Sequence, residues 1–142
     1  VEFLRSKNEN FDMCILLQPT SPLRVGLHVD EAIESFDKLN ASAVISVTSL
    51  THPIEWVNEL GDKGEMDKFF DDQAIYKRSQ DFPPRFIVNG AIYVFDVPSF
   101  LKQKSYFFKT GCFAYVMNGL DSIDIDTYED FKLAELLINN RI

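Results

Sequence analysis

Cysteine, histidine and positive charge are all in short supply in this chain, and glycine never clusters. Two cysteines among 142 residues exclude a scaffold stapled by disulfides. Cys14 and Cys112 sit in the apolar runs 12–16 and 111–115 and read as two buried, reduced thiols, which predicts a cytoplasmic location. His28 falls one turn into an amphipathic pattern and His52 precedes a proline, so both read as solvated or structural groups. With no Ser/His/Asp or Cys/His arrangement, covalent nucleophilic catalysis has no candidate. Lys and Arg number 14 against 22 Asp and Glu, a net charge of −8. That balance argues against general nucleic-acid binding and attachment to an anionic membrane. No stretch reads as a signal peptide, and none is apolar for long enough to cross a bilayer. The six glycines do not gather with lysine and arginine into a loop that would cradle a triphosphate. An anionic ligand therefore needs a local cluster of basic groups or a metal ion.

What is present is the material of one α/β domain. The chain is 46% hydrophobic with thirteen phenylalanines, enough for a core and too apolar for disorder. Residues 1–5 read as the last turn of a helix and 6–10 as a polar turn. Met13 to Leu17 is a short apolar run, as expected of a parallel strand covered on both faces. Val25, Val29, Ala32, Ile33, Phe36 and Leu39 recur at helical spacing, and Asn40 ends that helix. Ala43 to Val47 is the next strand, so strand–helix–strand predicts a parallel pair with a right-handed crossover. From Ser49 the texture changes. Residues 52–57 and 65–66 flank Gly61-Asp62-Lys63-Gly64, which reads as a hairpin turn, and 67–85 is a long polar segment of functional or interaction character. Strand returns over 86–95, a short helix is expected over 98–103, and strands over 112–117 and 122–126. A closing helix follows over 128–140, with Phe131, Ala134, Leu137 and Ile138 on one face.

Three stretches carry chemistry. The first is Leu16-Leu17-Gln18-Pro19-Thr20-Ser21-Pro22-Leu23-Arg24. Its prolines fix φ and push Gln18 and Ser21 out of the helical region, at the C-terminal end of a strand, where open α/β sheets bind ligands. Ordinary turn chemistry, with Ser21 as a helix cap, accounts for most of the same residues. The second is Arg78-Ser79-Gln80-Asp81-Phe82-Pro83-Pro84 leading to Asn89-Gly90-Ala91-Ile92-Tyr93. A guanidinium there suits a carboxylate ligand, and Gly90 inside a strand suggests a bulge or a close approach to a ligand. Asn89 offers a carboxamide to sugar hydroxyls or is simply the bulge residue. Lys77 reads as solvated, and Arg85 carries no assignment. The third is Ile123-Asp124-Ile125-Asp126-Thr127. Two carboxylates two apart in a strand share a face and suit a hard divalent cation. The competing reading is helix capping, because Asp126-Thr127-Tyr128-Glu129 has the D-x-x-E form; it explains Asp126 well and Asp124 poorly.

Taken in order, these stretches resemble the acylneuraminate cytidylyltransferase family: the CMP-N-acetylneuraminate synthetases and their pseudaminic and legionaminic acid relatives. The resemblance implies a Rossmann-like nucleotide-diphospho-sugar transferase fold with a mainly parallel sheet. It implies a hairpin and dimerisation excursion at about 49–85 that makes a homodimer. It implies transfer of CMP from CTP to the anomeric hydroxyl of a nine-carbon sugar acid, with Mg²⁺ as cofactor. Asp124 and Asp126 would hold that ion as the catalytic pair, and Gln18, Thr20, Ser21, Arg24, Arg78, Gln80, Asn89 and Gly90 would bind substrate. No residue is assigned as the activating base. The family's Gly- and Lys/Arg-rich nucleotide loop is not among these residues, so residues 1–142 read as the later two-thirds of a family member's single catalytic domain. Two alternatives stand beside this reading: another nucleotide-sugar pyrophosphorylase of the same fold, and a non-catalytic fragment that keeps the sugar pocket and dimer arm. The isolated 142 residues are expected to release no pyrophosphate from CTP and to self-associate through the open edge of the first strand. Steady pyrophosphate release from a purified monomer of this length contradicts that expectation.

Overall fold

A computed structural model describes residues 2–8, 10–70, 72 and 74–140; the expected helical end at Val1 lies outside them. The chain divides into two compact units, Val1–Thr48 with Val88–Ile142, and Ser49–Ile87.

In the first unit, the described residues form a four-stranded sheet of order β1-β3-β2-β4. The strands are β1 (Met13–Leu16), β2 (Ala43–Ser49), β3 (Phe86–Asp96) and β4 (Cys112–Val116), and the helices are α1 (Glu2–Arg5), α2 (Gly26–Lys38), α3 (Val97–Gln103) and α4 (Tyr128–Asn139). The period-two side-chain pattern of strands builds a core on each face. Val44, Ile92 and Val94, with Met13 and Ile15 packed against them, gather on one side beneath Ala32, Val29 and Phe36 of α2. Ala43, Ile45, Tyr93 and Phe95 gather on the other, with Cys14, Cys112, Phe100 of α3, Tyr106 and Phe108 packed against them. Alternation slips at one place: Ala91 and Ile92, adjacent in sequence, both join the α2 side. The slip follows Gly90, whose φ is +75°.

The sheet is mixed. β1 pairs antiparallel with β3 in the register Met13↔Asp96 to Leu16↔Tyr93, and β2 pairs parallel with β4. The expected neighbouring parallel pair of β1 and β2 is therefore corrected: the chain returns from the 49–87 unit and lays β3 between them. α2 starts with Val25 as its cap residue and stops at Asn40, at φ +46°. Asp96 caps α3, its carboxylate accepting from Ser99 N at 2.7 Å. The expected last strand over 122–126 is also corrected. Leu120–Ser122 is a 3₁₀ turn and the residues after it run to α4 outside the sheet, because Ile125 N donates to Thr20 O at 2.9 Å, in the turn after β1. The face of α4 read from sequence buries Ala134, while Phe131 and Ile138 line a groove with Pro22 and Ile125.

The second unit lacks strands flanking the 61–64 turn among its described residues, so the expected hairpin is corrected to a turn. Gly64 N donates to Gly61 O and Gly61 N to Glu65 O. The ends are clasped instead by side chains: Asn58 Nδ2 donates to Lys68 O and Phe69 O, and Arg85 pairs with Glu55 at 3.1 Å. No helix among the described residues is long and apolar enough to cross a membrane.

The capping assignment at α4 is testable. Thr127 Oγ1 accepts from Asp130 N while the Asp130 carboxylate accepts from Thr127 N at 2.8 Å. This holds the Asp130 carboxyl below its ordinary pKa, chiefly through the Thr127 hydroxyl. Thr127→Ala is expected to lower unfolding free energy by about 1 kcal/mol in urea. Asp126→Ala is expected to stay within about 0.5 kcal/mol of the parent; the reverse order would return the cap to Asp126.

Candidate functional site

Continuing the β1–β3 register by two residues sets Gln18 opposite Ala91. At that point Arg24 reaches back: its Nη1 donates to Gln18 O at 3.0 Å and to Ala91 O at 2.8 Å. One buried-side guanidinium thus ties the Q-P-T-S-P turn to the strand carrying Gly90. Burial lowers its pKa from the ordinary arginine value. The structure gives Arg24 a positioning role through that nitrogen.

Gly90 is where the three stretches meet. A Cβ built there would lie 2.1 Å from Gln18 Oε1 and 3.8 Å from Asp124 Oδ2. Positive φ favours glycine here, and any side chain at 90 would displace the end of the Gln18 side chain. Gln18, Gly90 and Asp124, far apart in sequence, therefore converge within the first unit. Four buried side-chain oxygens have no partner among the described residues: Ser21 Oγ in the turn after β1, Asp124 Oδ1, Thr48 Oγ1 and Glu55 Oε2. Ser21 is 3% exposed and is not the helix cap, which is Val25. A buried, unpaired oxygen costs about 1–3 kcal/mol, so each calls for an explanation, and for Ser21 and Asp124 a bound ligand or ion would supply one. Burial, then the charges of Tyr106 and Asp124, pushes the Tyr93 phenol up.

Asn89 is corrected. Its side chain turns into the protein, where Oδ1 accepts from Ser46 Oγ at 2.6 Å and from Ala91 N at 3.2 Å. Nδ2 donates to Ser122 Oγ at 2.8 Å and approaches Met117 Sδ at 3.4 Å. Both donors and the acceptor are used, which leaves this carboxamide nothing for a sugar hydroxyl. It instead fixes the strand before Gly90 to the turn before Asp124. Ser46 and Ser122 are its partners and were not singled out from sequence. The signal for Ser46 was a hydroxyl inside the apolar run Ala43–Val47, buried and bonded also to Ile92 N at 2.7 Å.

Asp126 is exposed, and its carboxylate takes no part in the Thr127–Asp130 box. Thr20 contributes its carbonyl to Ile125 N. Arg78 and Gln80 belong to the second unit and are exposed. Arg78 grips Asp81 through Nη2 at 3.1 Å and Nε at 3.3 Å, which lowers the Asp81 pKa, chiefly by that side-chain bond. No cluster of three or more His, Cys, Asp or Glu side chains among the described residues is arranged around a metal. Asp124 is half-buried and Asp126 exposed, and with no strand over 122–126 their spacing of two no longer sets them on one face by itself.

Gly90→Ala is expected to cost more than the roughly 1–2 kcal/mol of backbone strain at positive φ. In a Gln18→Ala background the cost should fall back to about that strain, because the collision is gone. Equal costs in both backgrounds, read by urea denaturation, would contradict the close approach.

No family model matches the chain. Curated proteins do. It is 34% identical over 130 residues to an N-acylneuraminate cytidylyltransferase of Streptococcus agalactiae, covering 92% of this chain and 31% of that protein. A CMP-N,N'-diacetyllegionaminic acid synthase of Legionella pneumophila is 32% identical over 131 residues, 90% of this chain and 54% of that protein. A pseudaminic acid cytidylyltransferase of Campylobacter jejuni is 26% identical over 137 residues, 96% and 58%. The chain thus spans between about a third and somewhat over half the length of these relatives. Among solved structures, a 4-diphosphocytidyl-2C-methyl-D-erythritol synthase from Anaerococcus prevotii superposes with a TM-score of 0.59 at 15% identity, covering 98% of this chain and 64% of that one, which shows a shared fold. Over the residues matched, about nine-tenths of its length, the chain belongs to the acylneuraminate cytidylyltransferase family.

Proposed function

We propose that this chain is part of a cytidylyltransferase that moves CMP from CTP to the anomeric hydroxyl of a nine-carbon sugar acid. The relatives' names supply the reaction class. The observation that carries the reading is the convergence of Gln18, Gly90 and Asp124, one from each of the three stretches, with Asp124 Oδ1 itself buried and without a partner among the described residues. In the reaction the anomeric oxygen forms a bond to the α-phosphorus and the bond to pyrophosphate breaks. Such transfers depend on positioning and charge neutralisation.

Gln18, with Thr20 and Ser21 beside it, orients the sugar against the Gly90 backbone. Arg24 and Asn89 hold those groups in place. Asp124 and Asp126 would hold Mg²⁺, and the unpaired Asp124 Oδ1 and the uncommitted Asp126 carboxylate fit that task. When bound, the ion draws charge from the phosphates. Arg78, with Gln80, is assigned to the sugar acid's carboxylate on guanidinium chemistry, in competition with Asp81. A homodimer formed through the 49–87 unit and a cytoplasmic setting complete the proposal; the free thiols Cys14 and Cys112 accord with a reducing compartment.

The test uses the complete gene product with CTP and the other nucleoside triphosphates against a panel of sugar acids. CTP with a nine-carbon acid is expected to release pyrophosphate, and Asp124→Asn to remove most of the turnover with unfolding unchanged. Near-normal turnover of Asp124→Asn at limiting Mg²⁺ would sink the metal assignment, and preference for another nucleotide would sink the reaction.

A further inference from the structure

Asp121 and Ser122 precede Asp124 by three and two residues, and each is engaged from a different side. Ser122 Oγ accepts from Asn89 Nδ2 and donates to Asn118 O at 2.7 Å. Asp121 Oδ2 lies 3.7 Å from His28 Nε2, with both side chains largely buried. That separation is within ion-pair reach and beyond a hydrogen bond. The other ring nitrogen is committed: Val25 N donates to His28 Nδ1 at 3.2 Å. With Nδ1 accepting, Nε2 is the ring nitrogen left to donate, and it is the one on the side of the carboxylate. One turn along α2, the Tyr115 hydroxyl of β4 donates to Glu31, and the Tyr115 and His28 rings lie 6.5 Å apart. Glu31 and His28 share a helix face, so α2 is fastened to β4 and to the turn after it at two successive points.

We propose that His28 is a positioning residue for Asp124. Its Nδ1 holds the start of α2, directly after the Q-P-T-S-P turn, and its Nε2–H faces the carboxylate of the 3₁₀ turn that delivers Asp124. The ring therefore couples the turn bearing Gln18 and Ser21 to the segment bearing the proposed metal carboxylate, without touching substrate. What Asp124 does in this account rests on the preceding section; that His28 places it does not.

Glutamine separates the two functions of the ring. At this third helical position a Gln side chain reaches back to the cap N–H, so His28→Gln preserves the start of α2 while withdrawing Nε2–H from Asp121. In the complete protein, His28→Gln is expected to melt within a few degrees of the parent while kcat falls roughly tenfold or more, as for other supporting groups. The KM for the sugar acid should hold within about twofold, since that pocket is not the part displaced. Asp121→Ala should lose as much, Asp121→Asn should retain most activity, and the His28→Gln/Asp121→Ala double variant should be no worse than either alone. Imidazole ¹⁵N spectra, which need no turnover, should show Nε2 protonated and Nδ1 bare. Backbone spectra should show the Asp124 amide displaced by His28→Gln. A His28→Gln enzyme as active as the parent, additive losses in the double variant, an Nδ1-protonated ring, or an unmoved Asp124 amide would each overturn the proposal. If the parent itself turns over no sugar acid, the reaction assigned above is wrong, and the spectra still decide whether His28 places Asp124.

Discussion

The Gln18 carboxamide lies against a backbone that has no Cβ, and the rest of the site depends on that contact. Gly90 can take φ +75° because nothing projects from its α-carbon, and the space so left is filled by Gln18 Oε1. Arg24 then makes the arrangement rigid by donating to carbonyls on both sides of it. A cation binding two backbone oxygens in a half-buried place costs desolvation, visible in its lowered pKa. In return the guanidinium gives each of two carbonyls a charged donor, beside the Ser21 N that also reaches Gln18 O. The positive charge in this acidic chain is thus partly spent inside the scaffold, which sharpens the need for a metal or for further basic groups at any phosphate site.

A second constraint is the polar seam around Asn89. Ser46, Asn89 and Ser122 pass hydrogen bonds from β2 through β3 to the turn before Asp124. Every one of these groups is satisfied, as a buried network must be to add rigidity. Ser21 Oγ and Asp124 Oδ1 are the contrast: buried, with no partner among the described residues. Under the proposed function a ligand and an ion would supply the partners that these two oxygens lack.

Most elements were legible because their side-chain periods are strong. The runs at 13–17 and 43–47, the helix after Arg24 and the closing helix all follow burial on one or two faces. What was not legible is where elements go. Strand–helix–strand predicts a neighbouring pair, yet β3 enters between β1 and β2 after a long excursion, and no local pattern encodes that insertion. The Ile-Asp-Ile-Asp alternation reads as a strand, but Ile125 spends its N–H on Thr20 O instead of a sheet neighbour. The overlapping D-x-x-E and T-x-x-D patterns at the start of α4 are equally good as strings, and only the geometry selects Thr127 and Asp130. Asn89 was read as a ligand group or a bulge residue because burial cannot be seen in sequence; in the fold its carboxamide has four partners. Gln18, Gly90 and Asp124 were visible by type, though their convergence was not.

In the proposed function Gln18, Ser21 and Asp124 bind the ligand. A crystal structure of the complete protein with a nine-carbon sugar acid, a non-hydrolysable CTP analogue and Mg²⁺ tests it most directly. The account predicts a sugar oxygen on the Gln18 carboxamide, a partner on Ser21 Oγ, and the cation on Asp124. A well-ordered ligand elsewhere, with Ser21 Oγ and Asp124 Oδ1 still unpartnered, would contradict it.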